Sequence, residues 1–240
     1  MTSQYFLEEK LTKMMISKNK VSRFKKNIVA NCKSCGGIGC DTCNKTLNRI
    51  DKYAAAGIPV EYWLLSFKNF SGDGSFKKIV KSELSDINEL YDSGRSYLFS
   101  GSLGTGKTYA SCCILKVAAL SGFSCHYTTM ADAINTILSH STDTNKYFNM
   151  LIETDFLAID EFDSRWIFPS EKSEQVFGSS LEYILRTRFQ NQLPTILCSN
   201  NEDVDQILGG RFAKTFKSLR SKYLKLIYVG GKDYRRMTKK

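Results

Sequence analysis

The sequence predicts an α/β fold built around a phosphate-binding loop, with a small cysteine-rich module ahead of it. Three observations carry this. The stretch YLFSGSLGTGKT (97–108) is an apolar run ending at a glycine-rich turn that opens a helical pattern. The stretch FLAIDEFD (156–163) is a second buried-strand run, capped by two acids. Between Asn31 and Asn44, four cysteines fall into two C-x2-C pairs.

The first stretch fits G-x-x-x-x-G-K-[ST] through Gly101, Ser102, Leu103, Gly104, Thr105, Gly106, Lys107 and Thr108. Glycines let backbone N–H groups turn inward around phosphate oxygens, and the following helix points its positive end at the same anion. Lys107 is expected to reach the β- and γ-phosphates of a nucleoside triphosphate, and the Thr108 hydroxyl to ligate Mg2+.

The second stretch places Asp160 and Glu161 at the end of the run Phe156–Ile159. Adjacent carboxylates at the end of a buried strand are costly unless used. Behind a phosphate loop, Asp160 is expected in the Mg2+ shell, and Glu161 is expected to orient and polarise attacking water. A third apolar run, LPTILCSNN (193–201), ends in amides. In a parallel sheet it would bring Asn200 beside the Asp160 strand, because ligands gather at the carboxyl ends of such strands.

Cys32, Cys35, Cys40 and Cys43 form C-x2-C-x4-C-x2-C, the ligand type and spacing of a closed structural Zn2+ site. Iron–sulfur and redox uses are the alternatives; the spacing departs from the ferredoxin pattern. Cys32–Gly39 also resembles a single zinc repeat of the DnaJ-type chaperones. The other four of the eight cysteines, Cys112, Cys113, Cys125 and Cys198, read as small buried apolar residues.

The remaining elements follow in order. Residues 4–17 form an amphipathic pattern with Phe6, Leu7, Leu11, Met14 and Met15 on one side, suited either to packing on its own domain or to a partner. Helices are expected over 45–56, 77–92, after Lys107, over ADAINTILS and over 171–190. Strands are expected over 124–130 and 224–231, and residues 140–146 read as a polar loop. His126 and His140 have no metal-ligand pattern around them. A domain boundary is expected near residue 50, dividing an N-terminal helix and zinc module (1–50) from a nucleotide-binding domain (51–240).

The hydrophobic content of 42% allows a substantial core. No run approaches the roughly 18 apolar residues of a membrane span, and the first residues lack a secretory pattern, so a soluble cytoplasmic protein is expected. The net charge of +10 points to a polyanionic partner. One basic cluster is Lys18, Lys20, Arg23, Lys25 and Lys26. Another fills the end of the chain, where Asp233 is the only acid after Arg211.

GSLGTGKT, FLAIDEFD, PTILCSNN, LGGR (208–211) and DYR (233–235) together resemble the AAA+ ATPases of the bacterial helicase-loader group, DnaC and DnaI, with the IstB transposition helpers as relatives. The resemblance spans roughly residues 55–236 and implies a parallel sheet with helices on both faces, in strand order 5-1-4-3-2, without a full lid domain. It implies a sensor role for Asn200, an action of Arg211 on a neighbouring subunit's nucleotide, and a second sensor role for Arg235. The family often has a second arginine four residues after the first, where this chain has Thr215. ATP, Mg2+ and Zn2+ are the implied cofactors. The implied partners are a replicative helicase hexamer, single-stranded DNA and further copies of the chain meeting at the ATP site, in a bacterial or phage-infected cell, with no membrane. The competing expectations are an IstB-like transposition helper, a small-molecule phosphotransferase and a non-hydrolysing zinc-dependent nucleic-acid-binding module.

Overall fold

The computed structural model describes residues 17–138, 142–163, 171–201, 203 and 212–234. The amphipathic stretch 4–17 lies outside the described residues except for Ser17; His140, Arg211 and Arg235 lie outside them altogether.

Five strands form one parallel sheet: β1 (Ser96–Ser100), β2 (Cys125–Thr129), β3 (Phe156–Asp160), β4 (Thr195–Ser199) and β5 (Leu224–Tyr228). Their order, β2-β3-β4-β1-β5, is the expected 5-1-4-3-2 read from the other edge. The phosphate-loop strand β1 lies between β4 and β5, with Leu98 opposite Leu197 on one side and Leu226 on the other.

Period-two alternation in the three central strands builds two cores. Tyr97, Phe99, Phe156, Ala158, Ile196 and Cys198 belong to one face. Leu98, Leu157, Ile159 and Leu197 belong to the other. Both faces are buried, which is why these strands read as continuous apolar runs. The first face is covered by α1 (Lys18–Ala30), α2 (Asp41–Ala55), α3 (Gly74–Ser85), α4 (Ile87–Asp92), α5 (Lys107–Leu120) and the aromatic segment 58–70. The second is covered by α6 (Met130–Leu138), α7 (Thr142–Glu153), α8 (Glu171–Gln190) and α9 (Phe212–Tyr223). Among the described residues, no helix is long and apolar enough to cross a membrane.

Three local expectations are corrected. Residues 140–146 are not a loop throughout, because α7 starts at Thr142. Its polar start reads as turn chemistry, but Tyr147 and Leu151 pack into the second core and set the helix. The single helix expected over 77–92 is two, divided at Asp86, whose carboxylate caps α4 by accepting from the Glu89 N–H at 3.0 Å. The helix expected from residue 45 begins at Asp41 and so carries Cys43. Residue 50, the boundary read from the sequence, lies inside that helix, and Ile50 and Tyr53 belong to the first core.

Arg188, on α8, is wholly buried. Its guanidinium donates to the carbonyls of Leu151, Ile152 and Thr154 at the end of α7, to those of Asp155 and Pro194, and to the Thr195 hydroxyl. One side chain thus ties the end of α7 to the starts of β3 and β4.

Candidate nucleotide site and four-cysteine cluster

The loop between β1 and α5 turns at glycines that no other residue could replace without movement. Gly104 has φ +76°, and a Cβ there would stand 1.9 Å from Oδ1 of Asp233. Gly106, the N-cap of α5, has φ +96°, and a Cβ there would meet the Phe70 ring at 2.4 Å. The loop is therefore clasped on two sides. On one, Phe70 stacks on Phe67 (4.8 Å between centroids) and leans on Tyr109 (5.7 Å). On the other, the chain after β5 crosses the loop, and the Tyr234 N–H donates to the Gly104 carbonyl at 3.0 Å.

Lys107, the first residue of α5, is only 4% exposed. Its ammonium donates to the carbonyls of Gly101 (2.8 Å) and Ser102 (2.7 Å) and to the Thr105 hydroxyl (3.3 Å). A cation is thus held within the loop, at the end of a helix whose first N–H groups have no intrahelical acceptor. This combination suits an anion with several oxygens.

Asp160 ends β3 and faces the same loop. Its Oδ2 accepts from the Thr108 hydroxyl (2.7 Å) and the Tyr127 hydroxyl (2.9 Å), and its Oδ1 accepts from the Glu161 N–H (2.8 Å). The two residues expected to share Mg2+, far apart in sequence, are therefore in direct contact. A hydroxyl and a carboxylate, both hard oxygen donors, fit that ion. Glu161 has φ +53°, a conformation sparsely used by residues with a Cβ and concentrated at functional sites. The corner is pinned beyond it, since the Phe162 N–H donates to the Cys198 carbonyl at 2.8 Å. Asn200 directly follows β4, between the strands that carry the loop and Asp160, and is half-buried.

Sequence reasoning missed Tyr127, Phe70, Asp233 and Tyr234 as parts of this site. Tyr127 reaches Asp160 from β2, and nothing in SCHYTTM distinguishes it from its neighbours. The aromatic richness of 58–70 and the DYR motif were the available signals for the other three. Burial, then the Asp160 charge, raises the Tyr127 pKa far above the ordinary phenol value, so its hydroxyl is a donor at any working pH.

The four cysteines converge at the start of α2, with all their Sγ atoms within 4.8 Å of one another. Cys32–Cys40 is 3.9 Å, and Cys35–Cys43 and Cys40–Cys43 are each 3.7 Å. Thiolates about 2.3 Å from one tetrahedral ion stand about 3.8 Å apart, so the set fits a metal ion of that kind. The thiols also hold one another's protons. Cys32 is lowered, chiefly by its hydrogen bond with Cys43, and the same contact pushes Cys43 up to about 12.

No family model matches the chain. The replicative helicase loader DnaC of Escherichia coli K12 is 27% identical over 175 residues, which cover 70% of this chain and 69% of DnaC. The crystal structure of DnaI aligns with a TM-score of 0.56 at 20% identity, over 73% of this chain and 93% of that one. The replication initiator DnaA, bound to AMPPCP and single-stranded DNA, aligns with a TM-score of 0.55 at 20% identity over 73% of this chain, which spans about half (51%) of that protein. With its sheet order and its glycine-rich loop, the chain shares the fold of the DnaI and DnaA structures and is similar in sequence to DnaC.

Proposed function

We propose that the protein is an ATP-dependent loader of a replicative DNA helicase onto single-stranded DNA. The observation that carries this is the joint placement of Lys107, Thr108 and Asp160 at one loop of a DnaC-like chain. In this reading the loop Gly101–Thr108 holds the triphosphate of ATP, and Lys107 exchanges its loop carbonyls for phosphate oxygens. Thr108 and Asp160 hold Mg2+, which when bound neutralises charge on the β- and γ-phosphates. Glu161, turned by its backbone, orients water, and Asn200 contacts the γ-phosphate from the neighbouring strand. Arg211 acts from an adjacent subunit and Arg235 from the same one, so self-association completes the site.

The four thiolates hold Zn2+ and shape the N-terminal module, which docks on the helicase ring. DNA binds the basic surface, to which α9 contributes Lys214, Lys217, Arg220 and Lys222. Its affinity falls steeply with salt, because phosphate contacts release counterions.

Affinity capture of the tagged full chain from its native host, with ATP present, tests the reading. Recovery of a hexameric helicase supports it. Recovery of a transposase, or of nucleic acid alone with no DNA-stimulated ATP hydrolysis, overturns it.

A further inference from the structure

We propose that Tyr127 is a positioning residue for the Mg2+-binding carboxylate of Asp160, held in place by the end of the helix that carries Cys43; this rests on the nucleotide reading above. Three donors fix the Asp160 carboxylate: the Thr108 and Tyr127 hydroxyls on Oδ2, and the Glu161 N–H on Oδ1. Thr108 is the one whose oxygen that reading assigns to the cation. The bonds from Tyr127 and the Glu161 amide, one to each carboxylate oxygen, do not depend on Thr108. They define the carboxylate plane whichever way the threonine turns.

The tyrosine is itself held. Among the described residues β2 is an edge of the sheet, paired on one side with β3, where Tyr127 stands opposite Ala158. On its open side the Tyr127 N–H donates to the Ala56 carbonyl at 2.8 Å, and Ala56 is the C-cap of α2. The next residue, Gly57, approaches so closely that a Cβ there would lie 3.0 Å from the Tyr127 carbonyl oxygen. One continuous run therefore leads from the cysteine cluster, along α2, through one backbone hydrogen bond, to the ring whose hydroxyl holds Asp160. A half-buried tyrosine that merely satisfied its hydroxyl would need none of this register.

The test is Tyr127→Phe in the full chain, which removes one oxygen from a half-buried ring. A fluorescent ATP analogue is titrated first in chelator and then against increasing Mg2+. Binding without Mg2+ is expected to stay within about twofold of wild type, while the Mg2+ concentration for half-maximal response rises about tenfold, the order expected for loss of one hydrogen bond to a charged group. In an Asp160→Asn background, Tyr127→Phe should add less than about twofold, because the bond acts only through the carboxylate. An unchanged Mg2+ requirement overturns the proposal, as does a full additional shift in the Asp160→Asn background, while in both cases nucleotide binding by wild type leaves the nucleotide reading standing. A wild-type chain that binds no nucleotide overturns that reading and this inference with it.

Discussion

Arg188→Leu should lower the stability of the chain by about 4 kcal/mol. The substitution strips donors from four carbonyls, those of Leu151, Ile152, Thr154 and Asp155. Pro194 is not orphaned, because its carbonyl also accepts from the Leu157 N–H, and the Thr195 hydroxyl keeps the Leu193 carbonyl as an acceptor. A buried carbonyl left without a donor, as at Leu151 and Thr154, costs about 1–3 kcal/mol, and the part-buried carbonyls of Ile152 and Asp155 cost less. Water entering the space left by the guanidinium recovers part of this, and relief from burying a charge recovers more. A net loss of about 4 kcal/mol corresponds to a fall in melting midpoint of about 8–16 °C for a chain of this size. Thermal and urea unfolding followed by far-UV circular dichroism would measure it. Arg188→Lys should restore less than half, since a point ammonium cannot serve acceptors spread over α7, β3 and β4. A midpoint within about 2 °C of wild type for Arg188→Leu would refute the idea that this guanidinium holds the strands that present Asp160 and Asn200.

Lys107→Ala should weaken binding of a fluorescent ATP analogue at least about tenfold, whereas Glu161→Gln should keep binding and slow hydrolysis by about 10²-fold or more; equal turnover by wild type and Glu161→Gln would contradict the division of roles. Cys35→Ser should release zinc, read by a chromogenic chelator, and raise hydrogen exchange in residues 31–44. Residues 45–56 should stay protected, because Ile50 and Tyr53 are anchored in the core and Phe24 of α1 packs edge-on against Trp63 at 5.0 Å. His126, whose Nε2 has no hydrogen-bond partner among the described residues, is held at a pKa of about 4, first by burial and then by the Arg188 charge. Between pH 6.5 and 4 the unfolded chain binds a proton that the folded chain refuses, so stability should fall as pH falls. The expected loss is about 2 kcal/mol between neutral pH and pH 5, and His126→Gln should flatten the slope in denaturant titrations at several pH values.

What the sequence revealed of the site, and what it hid, divides along physical lines. The turn at Gly101–Thr108 and the acids Asp160-Glu161 were legible as local features, because a glycine-rich strand-to-helix turn and a strand-end carboxylate leave contiguous patterns, and the structure brings the two together. The convergence of the four cysteines was legible because two C-x2-C pairs joined by a short glycine-rich linker can fold onto one point. The sheet order followed only from resemblance, since period and composition fix strands but not neighbours. Tyr127 was hidden because its meeting with Asp160 depends on the β2–β3 register. Arg188 was hidden because an arginine late in a long polar-faced helix reads as solvated, and only the packing of α7 against α8 encloses it. The start of α7 was hidden because Thr, Asp and Asn signal turns more strongly than they signal a helix whose anchor, Tyr147, comes several residues later.

The crossing of the chain over Gly104 makes the phosphate loop part of a mechanical linkage. Val229 accompanies the end of β1, its N–H donating to the Ser100 carbonyl at 2.7 Å, and five residues later Tyr234 grips the crest of the loop. A displacement of the backbone at Tyr234 would reach the loop through the hydrogen bond to Gly104, and the sheet through Val229. The lever is short, and its fulcrum is β5 beside β1. A side chain larger than hydrogen at residue 104 would therefore prise this coupling open as well as strain the turn, and the two effects can be separated by pulling on the chain from that end.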